Sequence, residues 1–213
     1  APSEIQDFLA RYAGTYQEDR LRNDWLVLLG QRRDWAQFAA ELPRYRMNDD
    51  REVRCYALTL EPLSAGVDPA TEVKRLWYAQ KDADNGCAYA AAQLFGAKKL
   101  SAADIWRKAR LAMEANRISA AKAAADIISP EAGAHIEEIS SNPARFLSKR
   151  VIAAGRVARE SVVLALVRLA ATDTELAASV MENHWSVHLS AEQRSWVWGA
   201  IGKHAAQRQL NDV

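Results

Sequence analysis

Residues 25–43 read WLVLLGQRRDWAQFAAELP. An apolar run ends at Gly30, basic residues follow, and Asp34 opens a second apolar-patterned run that stops at Pro43. Apolar positions recur near the 3.6-residue period on both sides of the break, which is the pattern of two amphipathic helices joined by a tight turn. Gly30 is expected to cap the first helix, and Asp34 has the short acceptor side chain that starts the second. Pro43 cannot continue a helix and ends it.

The same helix–break–helix pattern recurs in looser form. RLAMEANRISAAKAAADIIS, residues 110–129, breaks at Asn116-Arg117, is expected to cap at Ser119, and ends before Pro130. LVRLAATDTELAASVMENHW, residues 166–185, breaks at Thr172-Asp173 and resumes. Start signals punctuate the rest of the chain: Asp68-Pro69, Ser129-Pro130 and Asn142-Pro143 each place an acceptor before a proline at the first helical position. Ser190 with Gln193 forms a capping box, and Ser101 with Asp104 resembles one.

These signals predict helices near 3–12, 16–30, 34–42, 49–65, 69–80, 84–95, 101–115, 118–128, 130–139, 142–149, 151–155, 158–170, 173–182, 190–202 and 204–211, with Gly66 as a second glycine cap. Helical pairs repeating every 30 to 45 residues or so are the signature of an α-solenoid, in which each pair hides its wide apolar face only by stacking on the next. The fold class expected is therefore all-α: a superhelix of stacked helical hairpins, curved or horseshoe-like. Alanines allow close approach, and Trp25, Leu28, Trp35 and Phe38 fill the interlocking positions.

Bulk properties narrow the function. The chain has 213 residues and a formal charge of +1, from 28 Lys plus Arg against 27 Asp plus Glu. That balance lacks the strong basic excess of a general nucleic-acid binder. No stretch approaches the roughly 20 apolar residues of a membrane span. SVVLALVRLAA, residues 161–171, is too short and is interrupted by Arg168. The opening APSEIQDFLARY is amphipathic and is not a basic-then-apolar signal sequence. Of the two cysteines, Cys55 and Cys87, composition leaves two buried thiols and one disulfide about equally balanced.

Candidate chemistry is sparse. His184 and His188 have an i, i+4 spacing, but the box at Ser190 puts residues 186–189 in a connection, so no metal site is expected. His135 and His204 read as surface or capping residues. The doublets Asp49-Asp50 and Glu137-Glu138 diverge by about 100° on a helix, unlike a carboxylate pair facing across a cleft, and read as solvated faces. Nucleophile elbows and phosphate loops do not occur in the sequence, so no catalytic residue and no cofactor is assigned. The tryptophans at helical positions, among them Trp35 and Trp196, read as core. Arg32, Arg33, Arg150, Arg156 and Arg159, with Arg20 and Arg22, are candidates to line a concave face and attract an anionic polymer.

One run of words is more specific. FLARYAGTYQEDRLRNDWLVLLGQRRDWAQFAAELP, residues 8–43, followed by REVRCYAL, residues 51–58, resembles the N-terminal helical domain of soluble lytic murein transglycosylases. DNGCAYAAAQLFGAKKLSAADIWRKARLAMEANRISAAKAAA, residues 84–125, resembles the segment that follows it in that family. The chain departs from the family wording at Ala13, where proline is usual, at Arg33, where glycine precedes the Asp-Trp pair, and after Cys87, where an acid is usual.

The resemblance implies that residues 1–213 are a single α-superhelical domain, the N-terminal part of a larger periplasmic protein. In the family a separate lysozyme-like domain cleaves the β-1,4 bond between N-acetylmuramic acid and N-acetylglucosamine, forming a 1,6-anhydro sugar with a single Glu as acid and base. The signature of that domain, Glu-Ser followed by Gly-Leu-Met-Gln, is not found in residues 1–213, and no catalytic residue carries over. The implied role is a non-catalytic scaffold whose partners are peptidoglycan strands, met through the parent enzyme. The periplasm in turn favours a Cys55–Cys87 disulfide. The competing expectation is a tetratricopeptide-like adaptor holding a peptide or protein in its groove.

Overall fold

The computed structural model describes residues 2–60, 66, 68–149 and 154–211. These residues form thirteen α-helices and short 3-10 turns, with no strand among them. The backbone divides into two compact units: Ala1–Gln80 with Asp84–Leu100, and Lys81–Ala83 with Ser101–Val213.

The first unit contains α1 (Pro2–Arg11), α2 (Tyr16–Arg32), α3 (Trp35–Glu41), α4 (Arg51–Ala57), α5 (Pro69–Ala79) and α6 (Asn85–Gly96). Each start from α2 onward is fixed by a side-chain oxygen that accepts from a backbone N–H left without an intrahelical partner. Thr15 accepts from Glu18, Asp34 from Gln37, Asp50 from Val53, Asp68 from Ala70 and Thr71, and Asp84 from Cys87.

The break between Trp25 and Pro43 is present, but Gly30 does not make it. α2 continues through Gly30 to Arg32, and Arg33 adopts the left-handed conformation at φ 62°. The Arg33 N–H donates to the Gly30 carbonyl and the Asp34 N–H to the Leu29 carbonyl, the paired bonds of a Schellman ending. The Gly30 position is set by packing instead. A Cβ there would lie 2.3 Å from the Tyr56 ring.

α6 ends in the same way, with Lys98 at φ 59° and the N–H groups of Lys98 and Lys99 donating to Phe95 and Leu94. The helix expected over 49–65 stops at Ala57. Residues 61–65 and 67 lie outside the described residues, and Gly66 sits in a turn at φ 81°.

Trp25, Leu26, Leu29, Phe38, Val53 and Tyr56 form the core of this unit. Burying each such side chain contributes about 1.5–3 kcal/mol. A disulfide joins Cys55 on α4 to Cys87 on α6 with their Cα atoms 4.9 Å apart, and both residues are fully buried. Beside it, Gly86 lets α6 come so close to α4 that a Cβ would meet the Glu52 carbonyl at 2.4 Å.

The second unit contains α7 (Ala102–Glu114), α8 (Ile118–Ile128), α9 (Pro130–Ser141), α10 (Pro143–Ser148), α11 (Gly155–Thr172), α12 (Thr174–Asn183) and α13 (Ala191–Asn211). Ser101 and Asp104 make a full capping box, and Ser190 with Gln193 makes another. Ser119 does not cap α8. Asn116 takes the left-handed position at φ 57°, Arg117 precedes the helix, and Ser119 lies inside it.

α8 presents Ala120, Ala121, Ala124 and Ala125, all buried, between its neighbours α7 and α9. At the α8–α9 crossing a Cβ on Gly133 would meet the carboxylate of Asp126, an exposed side chain that would have to swing aside. α11 packs against α7, α9, α10, α12 and α13. Its run Val162–Val167 is buried on every side, which explains why its sequence lacks an amphipathic stripe. The helices expected at 190–202 and 204–211 are one helix, because neither Gly199 nor Gly202 interrupts α13. Residues 151–153 lie outside the described residues, and Gly155 already belongs to α11.

Candidate functional site

In the first unit, the turn that ends α2 brings Arg33 against three aromatic rings. Its guanidinium carbon lies 3.7 Å from the centroid of Tyr89, 5.6 Å from Tyr56 and 5.7 Å from Trp35. These are cation–π distances. Its Nη1 also donates to the Gly30 carbonyl at 3.0 Å. The rings brace one another: Trp35 stacks on Tyr89 at 5.5 Å, and Tyr56 lies 5.8 Å from Trp35 and 6.2 Å from Tyr89. Burial and the neighbouring Glu52 push the Tyr56 hydroxyl well above its usual range, so it stays protonated and donates to Glu52.

Trp35 and Tyr89 line an open cleft of about 620 Å³. Polar groups come from Thr59, Gln93 and Lys99, and apolar wall from Leu58, Pro69 and Leu94. Tyr89 and Gln93 are four residues apart on α6 and so share a helical face. The Thr59 hydroxyl donates to the Tyr56 carbonyl at 2.7 Å, leaving its oxygen free to accept. The cleft thus presents two held rings with an amide, a hydroxyl and an ammonium, and this set suits binding more than bond-breaking.

The basic candidates separate on inspection. Arg32 is exposed at the end of α2, and Arg33 stands over Tyr89. Arg156 is exposed and Arg159 half-buried, both on α11 in the second unit, while Arg150 lies outside the described residues. Arg22 is no surface cation. It is buried between Glu18, at 2.6 Å, and Glu41. The hydrogen bond from Arg22 and another from the Gly14 N–H hold the Glu18 carboxyl below the usual carboxylate range.

The remaining expected groups fill structural roles. His184 caps α12, and His188 follows a 3-10 turn with its ring 5.3 Å from that of His184. No metal-ligating cluster occurs among the described residues. His135 is neither a surface nor a capping residue: its Nδ1 is 2.9 Å from the Ser161 hydroxyl and its ring meets Phe146 edge-on. Burial lowers the pKa of His204. Asp50 is not a solvated acid but the N-cap of α4, while Asp49 accepts from the Tyr45 hydroxyl. Glu138 pairs with Lys149 at 2.6 Å.

Sequence reading placed Trp35 in the core and passed over Tyr89, Gln93 and Lys99. The available signal was the Tyr–Gln pair at i, i+4 in an otherwise alanine-rich helix.

The fold built from these elements is one found in soluble lytic transglycosylases. Over 98% of its length the chain matches a lytic transglycosylase from Pseudomonas aeruginosa, an inactive mutant, with a TM-score of 0.59 and 25% identity. The 70-kDa soluble lytic transglycosylase of Escherichia coli, solved also in complex with bulgecin A, matches over 96% of the chain with a TM-score of 0.55 and 18% identity. The chain spans 34% of the length of either protein. No protein-family model matches the sequence, and no curated protein matches it.

Proposed function

We propose that residues 1–213 form one helical scaffold portion of a periplasmic peptidoglycan lytic transglycosylase, non-catalytic by itself, that guides glycan strands toward a catalytic domain elsewhere in the parent protein. The observation that carries this reading is the match over 98% of the chain, at 25% identity, to about a third of a lytic transglycosylase. The buried Cys55–Cys87 disulfide supports an oxidising compartment, where such bonds persist. Arg32, Arg33, Arg156 and Arg159 remain the basic residues offered to an anionic glycan, with Arg150 outside the described residues.

Two experiments test the reading. The coding sequence around this chain should specify Glu-Ser followed by Gly-Leu-Met-Gln, whereas a stop codon directly after Val213 would leave an adaptor. Incubated with purified murein, the chain should release no 1,6-anhydro sugars. Their release would place the chemistry inside these residues.

A further inference from the structure

We propose that the cleft lined by Trp35, Tyr89, Gln93 and Lys99 is a binding subsite for a carboxylate-bearing amino-sugar chain. The inference rests on the murein reading above but adds a location and a chemistry.

The rings come first. Pyranose rings bear C–H groups on their faces, and these bury well against flat aromatic surfaces. Trp35 and Tyr89, both half-buried and with Arg33 over one face of Tyr89, line an open cleft of about 620 Å³, a size suited to a small ligand. Both rings are held in place beforehand: Arg33 stands 3.7 Å from the Tyr89 centroid and Trp35 stacks on Tyr89. Binding therefore need not order the rings themselves.

The polar groups come next. Among the described residues the side chains of Gln93 and Lys99 make no hydrogen bond or ion pair, and both residues are exposed. Several other cations of this unit are engaged: Arg54 and Arg75 pair with Glu72, and Arg46 with Glu18. A second cavity of about 400 Å³ shows the contrast, because its Arg22 already pairs with Glu18 and Glu41. In the first cleft the Gln93 amide suits an N-acetyl group or sugar hydroxyls, and the Lys99 ammonium suits a carboxylate. Aromatic faces, a free amide and one free cation together favour an acidic sugar over an acidic peptide, which would need cations more than stacking.

The test is an amide-resolved NMR titration of the intact chain under oxidising conditions. The probes are the β-1,4 disaccharide of N-acetylglucosamine and N-acetylmuramic acid, neutral chitobiose, and an acidic pentapeptide. The expected result is a set of saturable shifts at Trp35, Tyr89, Gln93 and Lys99 with the muramyl disaccharide, and weaker binding of chitobiose. Lys99→Gln, at an exposed position, should weaken the acidic sugar about fivefold, as expected for one screened charge pair, and leave chitobiose unchanged.

Equal affinity for both sugars would overturn the carboxylate assignment. Shifts at the cleft with the peptide alone would overturn it in favour of a peptide groove, and no shifts with either sugar would end the inference. Each of these failures leaves the scaffold reading intact, since the coding sequence tests that separately.

Discussion

Gly30 lies directly against the ring of Tyr56, so close that a Cβ would stand 2.3 Å from its Cδ2 and 2.4 Å from its Cε2. The contact joins α2 to α4 inside the core, and Tyr56 in turn touches Trp35 and Tyr89. Gly30→Ala forces the fully buried ring to move, an overpacking that costs about 1–3 kcal/mol. Its thermal midpoint should fall, while Gly96→Ala, in open helical space, should hold or raise it. Equal midpoints for the two variants would refute the packing role of Gly30.

The disulfide closes a loop between residues 32 apart, which corresponds to about 4 kcal/mol of chain entropy. Reduction, or the double variant Cys55→Ala/Cys87→Ala, should speed amide exchange in α4 and α6 while α7–α13 exchange much as before. Alkylation followed by mass measurement of the unreduced, denatured protein should find no modified thiol. Two modified thiols would contradict the bond.

Arg110 and Glu160 are each 4% exposed. Arg110 meets Glu160 through Nε at 3.0 Å and Nη2 at 2.8 Å, Gln193 donates to the same carboxylate at 3.1 Å, and Glu192 accepts from Arg110 at 2.6 Å. The network ties α7, α11 and α13. Arg110→Met strands a buried charge and should destabilise by about 3–5 kcal/mol, whereas Arg110→Met/Glu160→Leu should recover most of that loss. Urea midpoints of the two variants would decide it, and a double variant no more stable than the single one would refute the mechanism.

Glu18 has a folded pKa below its unfolded value, principally through Arg22. Its contribution is therefore fully present above the unfolded value of about 4.3 and is lost as the pH falls toward the lower folded value. Urea midpoints compared at neutral and strongly acid pH should show this loss in the intact chain and a smaller one in Glu18→Gln. An unchanged pH slope in Glu18→Gln would rule out this carboxylate as a source.

Lys98 holds a left-handed conformation at φ 59° and is exposed. For a residue with a Cβ that conformation costs about 1–2 kcal/mol, and glycine avoids the cost. Lys98→Gly should raise the thermal midpoint by a few degrees. Arg33→Gly should gain less, because it also removes the guanidinium from Tyr89.

Most of the fold was legible because helix starts are local. An acceptor at Asp34, Asp68, Ser101, Ser129 or Asn142 needs only its next three residues to act, and each caps as read. Helix ends misled wherever glycine was taken as the stop. The endings at Arg33, Lys98 and Asn116 use left-handed residues that carry side chains, and Gly30 serves a ring 26 positions away in sequence. The cleft was illegible for the same reason: Trp35 on α3, Thr59 after α4 and Tyr89 on α6 come from separate elements that only packing brings together.

The sequence alone determined the all-helical class, the paired segments and most of their starts, because period and capping act within a few residues. The tertiary structure alone decided which cations stay available and which are consumed. Arg22 and Arg110 read like any other arginines until α2, α3, α7 and α11 pack and place carboxylates against them. A charge's role depends on its neighbours in space, and those neighbours are fixed by burying apolar faces, a long-range outcome that no local pattern encodes.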